Sequence, residues 1–500
     1  MTLSAGLPAT RFDYTAPLPA VADLGAIHLV GIGGAGMSGI ARMLHDRGLH
    51  ITGSDSRDSP GLRDLQAQGI GARVGHDAAN LANVQTLVVS SAIREDNPEL
   101  AGARGAGVRV LHRSQALAAL AADSPCRIAI AGANGKTTTS SMLAVVTTLA
   151  GRDPSYAVGG DPVQLTANAH LGRGDEFVIE ADESDGSFIG YHPHVALVTS
   201  VQPDHLDFYG TPAAVEAAYA AFVGTIAPGG LLVACVDDPG ARRLAKSAAS
   251  AGVRVVGYGT SIDAQIRLSK LRTTGLGAGA SVHVDGEQYS LRLAVPGEHN
   301  LLNAAGVLAI AVSSIGWTED PASRRSPQRI QQWLDLLSRF RGVRRRFERI
   351  GDVDGVSIVD DYAHNPAKVR AAVATGRGAV PAAGRLVVVF QPHLYSRTRD
   401  FAVEFGEALA PADVVVVADV YAAREDPLPG ITGGLVAEAV RAVRAGARVE
   451  FVPDAPSLVP KLVELVRSGD LVLTVGAGDI TAIGPALLDA LEARAAVGAP

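Results

Sequence analysis

The chain has 500 residues, of which 47% are hydrophobic and 19% charged, and its formal net charge is −7 at pH 7. This length exceeds what one hydrophobic core usually supports, so several domains are expected, and the composition excludes an intrinsically disordered chain. The acidic balance argues against a nucleic-acid-binding protein, because the one dense basic cluster is Arg341, Arg344, Arg345 and Arg346.

Nothing at the N-terminus or within the chain predicts export or a membrane span. Residues 1–24 lack a cationic start followed by an apolar core, so no secretory signal is expected. Ala213–Val236 carries a single charge, but Pro228-Gly229-Gly230 divides it into a helical part and a strand. Cys126 and Cys235 lack metal-ligand spacing and are expected to be buried thiols in a reducing compartment. We therefore expect a cytoplasmic protein.

Apolar runs followed by glycine-marked turns organise the chain. Ile27–Val30 precedes Gly31–Gly36, and Arg127–Ala131 precedes Gly132–Thr137. Later runs of the same kind are Val356–Val359, Arg385–Phe390, Val414–Ala418 and Leu471–Val475. Such runs, alternating with Ala-rich helical stretches, predict parallel strands buried on both faces and hence an α/β fold with doubly wound sheets.

Two polar stretches, Ala122–Pro125 and Trp317–Gln328, predict domain breaks. The expected domains are residues 1–123, 124–337 and 338–500.

The first glycine motif is Gly31-x-Gly33-x-x-Gly36, and Asp55 follows about 24 residues later, as in a dinucleotide fingerprint. Backbone amides at such a helix start bind a diphosphate. The motif fits an NAD-dependent oxidoreductase, a UDP site, or glycines required only for close packing.

The second glycine motif, Gly132-Ala-Asn-Gly-Lys-Thr, indicates a triphosphate site. Lys136 is one of five lysines in the chain. It can neutralise the β and γ oxygens, while the Thr137 hydroxyl can ligate Mg²⁺. The loop is shorter than a standard P-loop, because residue 130 is Ile rather than Gly, and a structural turn is the alternative.

Acidic and polar residues follow four further predicted strands. Glu180-Ala-Asp-Glu183-Ser-Asp185 follows Phe177–Ile179, and Asp204-His205 follows Val195–Thr199. Carboxylates beside phosphate oxygens suit Mg²⁺, whereas the alternative is a solvated acidic loop. In the last third of the chain, Asp360–Pro366 and Gln391–Arg399 offer His and Arg side chains suited to an anionic intermediate and an amine nucleophile.

In this order, the segments resemble the Mur ligase family, and most closely its alanine-adding branch, over nearly the whole chain. Similar blocks include Gly31–Gly39, Ser90–Ile93, Asp96–Glu99, His112-Arg113, Glu180–Phe188, Asp204–Gly210, Pro296–Asn303, Phe340–Phe347, Ala423–Pro427 and Gly476–Ile480. The resemblance implies three domains: a Rossmann-like UDP-sugar-binding domain, a central P-loop ATPase domain with a mostly parallel sheet, and a Rossmann-like C-terminal domain.

The resemblance also implies the activity and its partners. The activity would be ATP- and Mg²⁺-dependent ligation of L-alanine to the lactyl carboxylate of UDP-N-acetylmuramate, through an acyl phosphate, for peptidoglycan synthesis. The partners would be these small molecules alone, without nucleic acid or membrane, and the protein would be a monomer or weak homodimer.

Site residues carry over by motif. The implied catalytic residues are Lys136, His364, His393 and Arg397, with His364 or His393 as the hypothetical general base. The implied nucleotide-binding residues are Gly132, Asn134, Gly135, Lys136, Thr137, Thr138, Asn300, Asn303, Arg341, Asp360 and Asp361. The implied sugar-nucleotide residues are Gly33, Gly34, Gly36, Met37, Ser38, Asp55, Ser91, His112 and Arg113. The implied metal ligands are Thr137, Glu183 and His205, with Glu180 as a weaker candidate.

The chain departs from the alanine-adding pattern at a few of these positions. The branch's Gly-Thr-His-Gly-Lys, Thr-Asn-Ile-Glu and His-His-Pro-Thr-Glu are changed here at Ala133, Asn134, Ser200, Gln202, Asn365, Ala367 and Lys368. These departures leave open another amino acid, a murein peptide, or a non-catalytic binding protein.

Overall fold

The structure is a computed structural model that describes residue 8 and residues 10–313, 321–381, 383–423 and 425–498. The chain divides into two compact units. The first unit comprises Met1–Leu271, Ala280–Leu293 and His299–Arg341, and the second comprises Arg272–Gly279, Ala294–Glu298 and Gly342–Pro500. The expected break at Trp317–Gln328 begins with four residues that lie outside the described part of the chain. The bounds of the three expected domains stay predictions.

Strands and helices alternate along the chain. The strands of the described residues are β1 (Ile27–Val30), β2 (Ile51–Asp55), β3 (Gly71–Val74), β4 (Thr86–Val89), β5 (Arg109–His112), β6 (Cys126–Ala131), β7 (Ser155–Ala157), β8 (Ala169–His170), β9 (Glu176–Glu180), β10 (Val195–Val198), β11 (Leu231–Cys235), β12 (Arg254–Gly259), β13 (Ile266–Thr274), β14 (Gly277–Val284), β15 (Glu287–Leu293), β16 (Glu348–Val353), β17 (Val356–Asp361), β18 (Leu386–Phe390), β19 (Val414–Val417), β20 (Arg448–Phe451) and β21 (Leu471–Val475). The helices are α1 (Ala35–Asp46), α2 (Pro60–Ala67), α3 (Pro98–Gly105), α4 (Arg113–Ala121), α5 (Lys136–Leu149), α6 (Leu206–Tyr209), α7 (Pro212–Gly224), α8 (Pro239–Ser250), α9 (Glu298–Ser313), α10 (Pro321–Arg324), α11 (Pro327–Ser338), α12 (Pro366–Ala379), α13 (Tyr395–Leu409), α14 (Gly434–Val443), α15 (Leu458–Leu465) and α16 (Ile483–Gly498).

The first sheet is Rossmann-like. Its five strands are parallel and ordered β3-β2-β1-β4-β5. This order reverses beside β1, and ligands of open α/β sheets bind at such a switch point, outside the carboxyl ends of the strands. The Gly31–Gly36 turn follows β1 at that place.

The second sheet has ten strands, ordered β15-β14-β13-β12-β11-β10-β6-β9-β7-β8. Strand β6 lies between β10 and β9, and both pairs are parallel. Every residue of β10 and of β11 is buried, which is why these strands read as continuous apolar runs. The carboxyl ends of β6, β9, β10 and β11 therefore meet at one edge of the sheet.

The third sheet has six strands, ordered β16-β17-β21-β18-β19-β20. The hairpin β16–β17 is antiparallel, and the pairs from β17 to β20 are parallel. Val359, Val388 and Leu473 are fully buried in the core on one face of it. These three mostly parallel sheets confirm the expected three-part α/β fold.

The expectations for the apolar stretch and for the burial of the two cysteines are also confirmed. The apolar stretch Ala213–Val236 is divided between α7 and β11, as its Pro-Gly-Gly predicted. Within the described ranges, no helix combines the length and apolar character that a membrane crossing requires. Cys126 and Cys235 are both buried.

A buried histidine joins β5 to α4. His112 is the N-cap of α4, and its backbone amide donates to Gln115 Oε1 at 2.9 Å, forming a capping box. The ring is fully buried, with the rings of Phe12 and Tyr14 centred 5.4 and 5.5 Å away. This burial lowers the pKa of His112 to about 4, although the nearby Asp185 carboxylate opposes the shift.

We expect His112 to make folding sensitive to acid. Below pH 6.5 the unfolded chain protonates this imidazole, while the folded protein keeps it neutral down to about pH 4, so stability falls as pH falls through that window. The free energy of unfolding should drop by about 2 kcal/mol more between pH 7 and pH 5 in the wild type than in His112→Asn. Asn can still cap the helix, and urea unfolding at both pH values measures the difference.

The matched control is His50→Asn, which replaces an exposed histidine directly before β2 of the first sheet. It should keep the wild-type dependence on pH. Equal acid sensitivity in the wild type and His112→Asn would contradict a buried neutral ring.

Candidate active site

The phosphate loop runs from β6 to α5 and passes close to two neighbouring segments. Gly132 has φ +137°, and an added Cβ would lie 1.9 Å from Thr199 Oγ1. Gly135 has φ +85°, and its added Cβ would lie 2.8 Å from Asn303 Oδ1. Both positions therefore require glycine. The hydrogen bond from Thr139 N to Gly135 O is the first of the helical pattern of α5. The backbone amides before Thr139 have no acceptor within the helix, and such amides bind anions.

Lys136 forms an ion pair with a buried carboxylate. Its Nζ lies 2.8 and 2.7 Å from the two oxygens of Glu183 and donates to Gly132 O at 2.8 Å. The Glu183 side chain is 2% exposed. Burial raises the pKa of Glu183, while the Lys136 ammonium opposes that shift. A carboxylate and an ammonium are thus held together at the carboxyl edge of the second sheet.

Glu180 contacts the start of α5. Its Oε1 accepts from Thr137 Oγ1 at 2.8 Å, and its Oε2 accepts from Ser140 Oγ at 3.2 Å and from Gly159 N at 2.6 Å. The predicted metal ligand Thr137 is therefore adjacent to Glu180.

Glu183 and His205, the other predicted metal ligands, lie together. Ligand atoms of Asp182, Glu183 and His205 all fall within 4.8 Å of one another. Asp182 was not among the predicted ligands, although it belongs to the acidic run that pointed to the site. Carboxylate oxygens fit Mg²⁺, whereas an imidazole nitrogen is more typical of transition metals. The donor set can hold a divalent cation beside the phosphate loop.

The predicted sugar-nucleotide residues surround the start of α1. Gly33 N donates to Asp55 Oδ2 at 2.9 Å, so the carboxylate at the end of β2 fixes the glycine turn. Gly34 is the N-cap of α1. Met37 and Ser38 are buried, and Ser38 Oγ donates to Ala35 O at 3.1 Å. Their role in binding the sugar nucleotide stays a prediction.

Residues of the first sheet also reach the acidic edge of the second. Ser91 Oγ donates to Asp185 Oδ2 at 2.5 Å, and the same oxygen lies within hydrogen-bond distance of His112 Nε2, at 3.1 Å. Arg113 Nη2 lies 3.7 Å from Asp182 Oδ2. Gly36, Arg113, Glu180 and Asp182 line one cavity. One cavity is thus lined by two of the predicted sugar-nucleotide residues together with Glu180, the weaker metal candidate, and Asp182.

The asparagines at the start of α9 lie beside the phosphate loop. Asn300 and Asn303 are buried, and Asn303 Nδ2 donates to Asn300 Oδ1 at 3.3 Å. The close approach of Asn303 to Gly135 puts this pair near the predicted nucleotide site. Arg341 is the last residue of the first unit, where its backbone amide donates to Gln164 Oε1 at 2.7 Å.

The two aspartates at the end of β17 already have hydrogen-bond partners within the second unit. Asp360 is fully buried and accepts from Thr474 Oγ1 at 2.5 Å and from Thr481 Oγ1 at 2.7 Å. Asp361 accepts from the backbone amides of Phe347 and Ala363, and burial raises its pKa to about 6. Their role at a ribose stays a prediction, and it would have to use the remaining acceptor capacity of these oxygens.

The predicted amine-side residues lie together in the second unit. The His364 and His393 rings are centred 6.0 Å apart, and Arg397 Nη1 donates to His364 O at 3.3 Å. His364 Nδ1 lies 2.9 Å from Tyr362 O, which fixes the proton on Nδ1 and leaves Nε2 as an acceptor. Burial lowers the pKa of His364 to about 4 and also lowers that of His393. The His364 ring is therefore neutral at pH 7, with Nε2 as its acceptor atom.

Comparison with known proteins identifies the family. Three family models match consecutive parts of the chain: "Mur ligase family, catalytic domain" over residues 26–125, "Mur ligase middle domain" over residues 130–311, and "Mur ligase, glutamate ligase domain" over residues 345–478. The chain is 54% identical to a UDP-N-acetylmuramate–L-alanine ligase of Kineococcus radiotolerans, covering 96% of this chain and 99% of the relative. It is 48% identical to the enzyme of that name from Renibacterium salmoninarum, over 95% and 97% of the two chains.

Solved structures agree with this result. A UDP-N-acetylmuramate–alanine ligase of Thermotoga maritima is 28% identical and superposes with a TM-score of 0.75, covering 94% of this chain and 99% of that one. A murein peptide ligase of Psychrobacter arcticus, 22% identical with a TM-score of 0.62 over 93% and 98% of the chains, shares the fold. The oxidoreductase interpretation of the first glycine motif finds no support in these matches. The chain belongs to the Mur ligase family.

Proposed function

We propose that this protein joins L-alanine to the lactyl carboxylate of UDP-N-acetylmuramate at the expense of ATP. The observation that carries the proposal is the Lys136–Glu183 pair at the phosphate loop, beside a cavity lined by Arg113 and the glycine turn of the first sheet. The relatives at about half identity carry this activity in their names.

The first step activates the acid. A carboxylate does not acylate an amine at neutral pH, so a lactyl oxygen attacks the γ-phosphorus and the bond to the ADP oxygen breaks, giving an acyl phosphate and ADP. Negative charge is redistributed over the transferring phosphoryl group, and Lys136 at the loop is the cation placed to stabilise it. Arg113 lines the cavity and lies near Asp182, and in this proposal its guanidinium orients the acid.

Mg²⁺ fits the acidic edge of the second sheet. Asp182, Glu183 and His205 would hold it, with Thr137 close by through its contact to Glu180. When bound, the ion supplies charge neutralisation at the phosphate oxygens.

The second step forms the amide. The neutral amine attacks the acyl carbon, the tetrahedral adduct loses inorganic phosphate, and one ammonium proton must leave. His364 Nε2 is an acceptor on a neutral ring, and His393 is its neighbour, so either can take that proton. Arg397 is the cation placed to attract the carboxylate of the incoming amino acid or the departing phosphate.

The departures from the alanine-adding pattern are compatible with this substrate. Asn365 is the N-cap of α12 and accepts from Lys368 N at 2.9 Å, so the change at this position provides a strong helix cap. Asn134 Nδ2 donates to Gln202 Oε1 at 3.2 Å, so these two changed residues contact each other. Three of the changed positions therefore have a structural role, and these changes do not require a substrate other than L-alanine.

Lys136→Ala should abolish activation of the acid. Loss of the ammonium removes charge stabilisation that is specific to the transferring phosphoryl group, so ADP release with both acceptor substrates present should fall by at least about 10²-fold. A coupled assay for ADP measures this rate. Near-normal turnover would refute the assignment of the loop.

Two further variants distinguish a loss of catalysis from a loss of folding. Lys136→Ala leaves Glu183 buried without its partner, so Lys136→Ala combined with Glu183→Gln removes both charges and should restore the thermal unfolding midpoint while remaining inactive. Lys246→Ala, on the exposed side of α8, should keep wild-type activity.

A panel of amino acids tests the identity of the amine. With UDP-N-acetylmuramate and ATP, L-alanine should give one ADP per product, and mass spectrometry should detect UDP-N-acetylmuramoyl-L-alanine. Glycine and L-serine should react with kcat/KM at least about 10-fold lower, the order expected for small changes in a shaped pocket. Turnover with glycine or L-serine but none with L-alanine would show that the substrate is a different amino acid. If no amino acid led to ADP formation, the protein would be a non-catalytic binding protein.

A further inference from the structure

We propose that Gln202 is a positioning residue of the phosphate loop. It links Asn134 of the loop to Asp238 and thereby sets the affinity for the adenine nucleotide. The inference rests on the proposed function, in which this loop binds ATP. Gln202 is separated from Asn134 by 68 residues, and in the sequence it stands out only as a departure from the family pattern.

The topology brings the three residues together. Strand β10 pairs with β6 and with β11, in register at Ala131, Val198 and Ala234. Asn134, Gln202 and Asp238 each follow one of these three strands by three or four residues. Their side chains therefore cross the carboxyl ends of three adjacent parallel strands.

Asn134 is the residue of the loop that this crossing holds. Its backbone N donates to Ser200 Oγ at 3.2 Å, and its backbone O accepts from Thr199 Oγ1. Its side-chain Nδ2 donates to Gln202 Oε1. The segment after β10 thus holds Asn134 through its amide, its carbonyl and its side chain.

Gln202 in turn donates to the side chain of Asp238. Its Nε2 donates to Asp238 Oδ2 at 3.1 Å. Asp238 is the N-cap of α8, and its Oδ1 accepts from Val201 N at 2.9 Å and from Ala241 N at 2.8 Å. Gln202 needs one accepting and one donating atom to make both contacts, and an uncharged amide supplies both. A glutamate at this position has no proton to donate to Asp238 when ionised.

The contact acts on the nucleotide site because Asn134 directly precedes the first residues of α5. Gly135 in its left-handed conformation and Lys136 come next in the chain, so the orientation of Asn134 determines where the first amides of α5 point. A loop that is already held in place loses less conformational freedom when a ligand binds. The alanine-adding pattern has His and Glu at positions 134 and 202, so two of the departures belong to one contact, which in this chain joins two uncharged amides.

Nucleotide binding tests the inference directly. Calorimetric titration with ADP and Mg²⁺ should give a Kd about three- to tenfold higher for Gln202→Ala than for the wild type, the range expected from the loss of a neutral hydrogen bond. Gln202→Glu, similar in shape, should fail to restore binding. In turnover, KM for ATP should rise while kcat and KM for the sugar nucleotide stay unchanged.

A double-mutant cycle separates positioning from a general loss of structure. In the Asn134→Ala background, Gln202→Ala should change the Kd for ADP by less than about twofold, because the contact is already absent. Gln68→Ala, an exposed glutamine at the end of α2, is the matched control and should bind as the wild type does.

Two outcomes would overturn this inference and leave the proposed function intact. One is equal ADP affinity in the wild type and Gln202→Ala. The other is a fall in the unfolding midpoint accompanied by equal changes in the KM of every substrate. Failure of the wild type itself to bind ADP would overturn the proposed function, and this inference with it.

Discussion

The ion pair of Lys136 with Glu183 is the contact around which the candidate site is built. One partner begins α5 and the other lies just after β9, so the pair joins two neighbouring strand ends of the second sheet. Burying a lone carboxylate or a lone ammonium would cost several kcal/mol, and the pairing reduces that cost. The same two charges have opposite ligand preferences, because an ammonium attracts phosphate oxygens and a carboxylate attracts a metal ion. Both halves of a metal–nucleotide complex therefore find a complementary group within one small region.

The backbone around this pair is held by contacts from the strand ends on either side. Close packing of Gly132 against Thr199 and of Gly135 against Asn303 leaves no room for larger side chains in the loop. Glu180 connects the start of α5 to Gly159. Such supporting contacts keep the binding groups in place before any ligand arrives, and electrostatic catalysis depends on this preorganisation.

Sequence reasoning located the strands and motifs better than the contacts between them. Runs such as Ile27–Val30 and Leu471–Val475 coincide with the observed strands, because strands buried on both faces are apolar at every position. The sequence predicts a site at the acidic run after β9 but not the part of Asp182 in it, because spacing within a loop does not tell which side chains face a shared space. The Asn134–Gln202 contact joins residues far apart in the chain, and neither residue type by itself predicts its partner. Asp360 was recognised as a polar residue at a strand end, yet its bonds to Thr474 and Thr481 depend on packing that a single sequence does not reveal.

The division into two units has an evolutionary consequence. Lys136, Glu183 and His205 all belong to the first unit, whereas His364, His393 and Arg397 belong to the second. Under the proposed function, substitutions around His364 and His393 can therefore alter the handling of the amine while Lys136, Glu183 and His205 stay unchanged. Specificity for the amine can in this way change separately from activation of the acid at the phosphate loop.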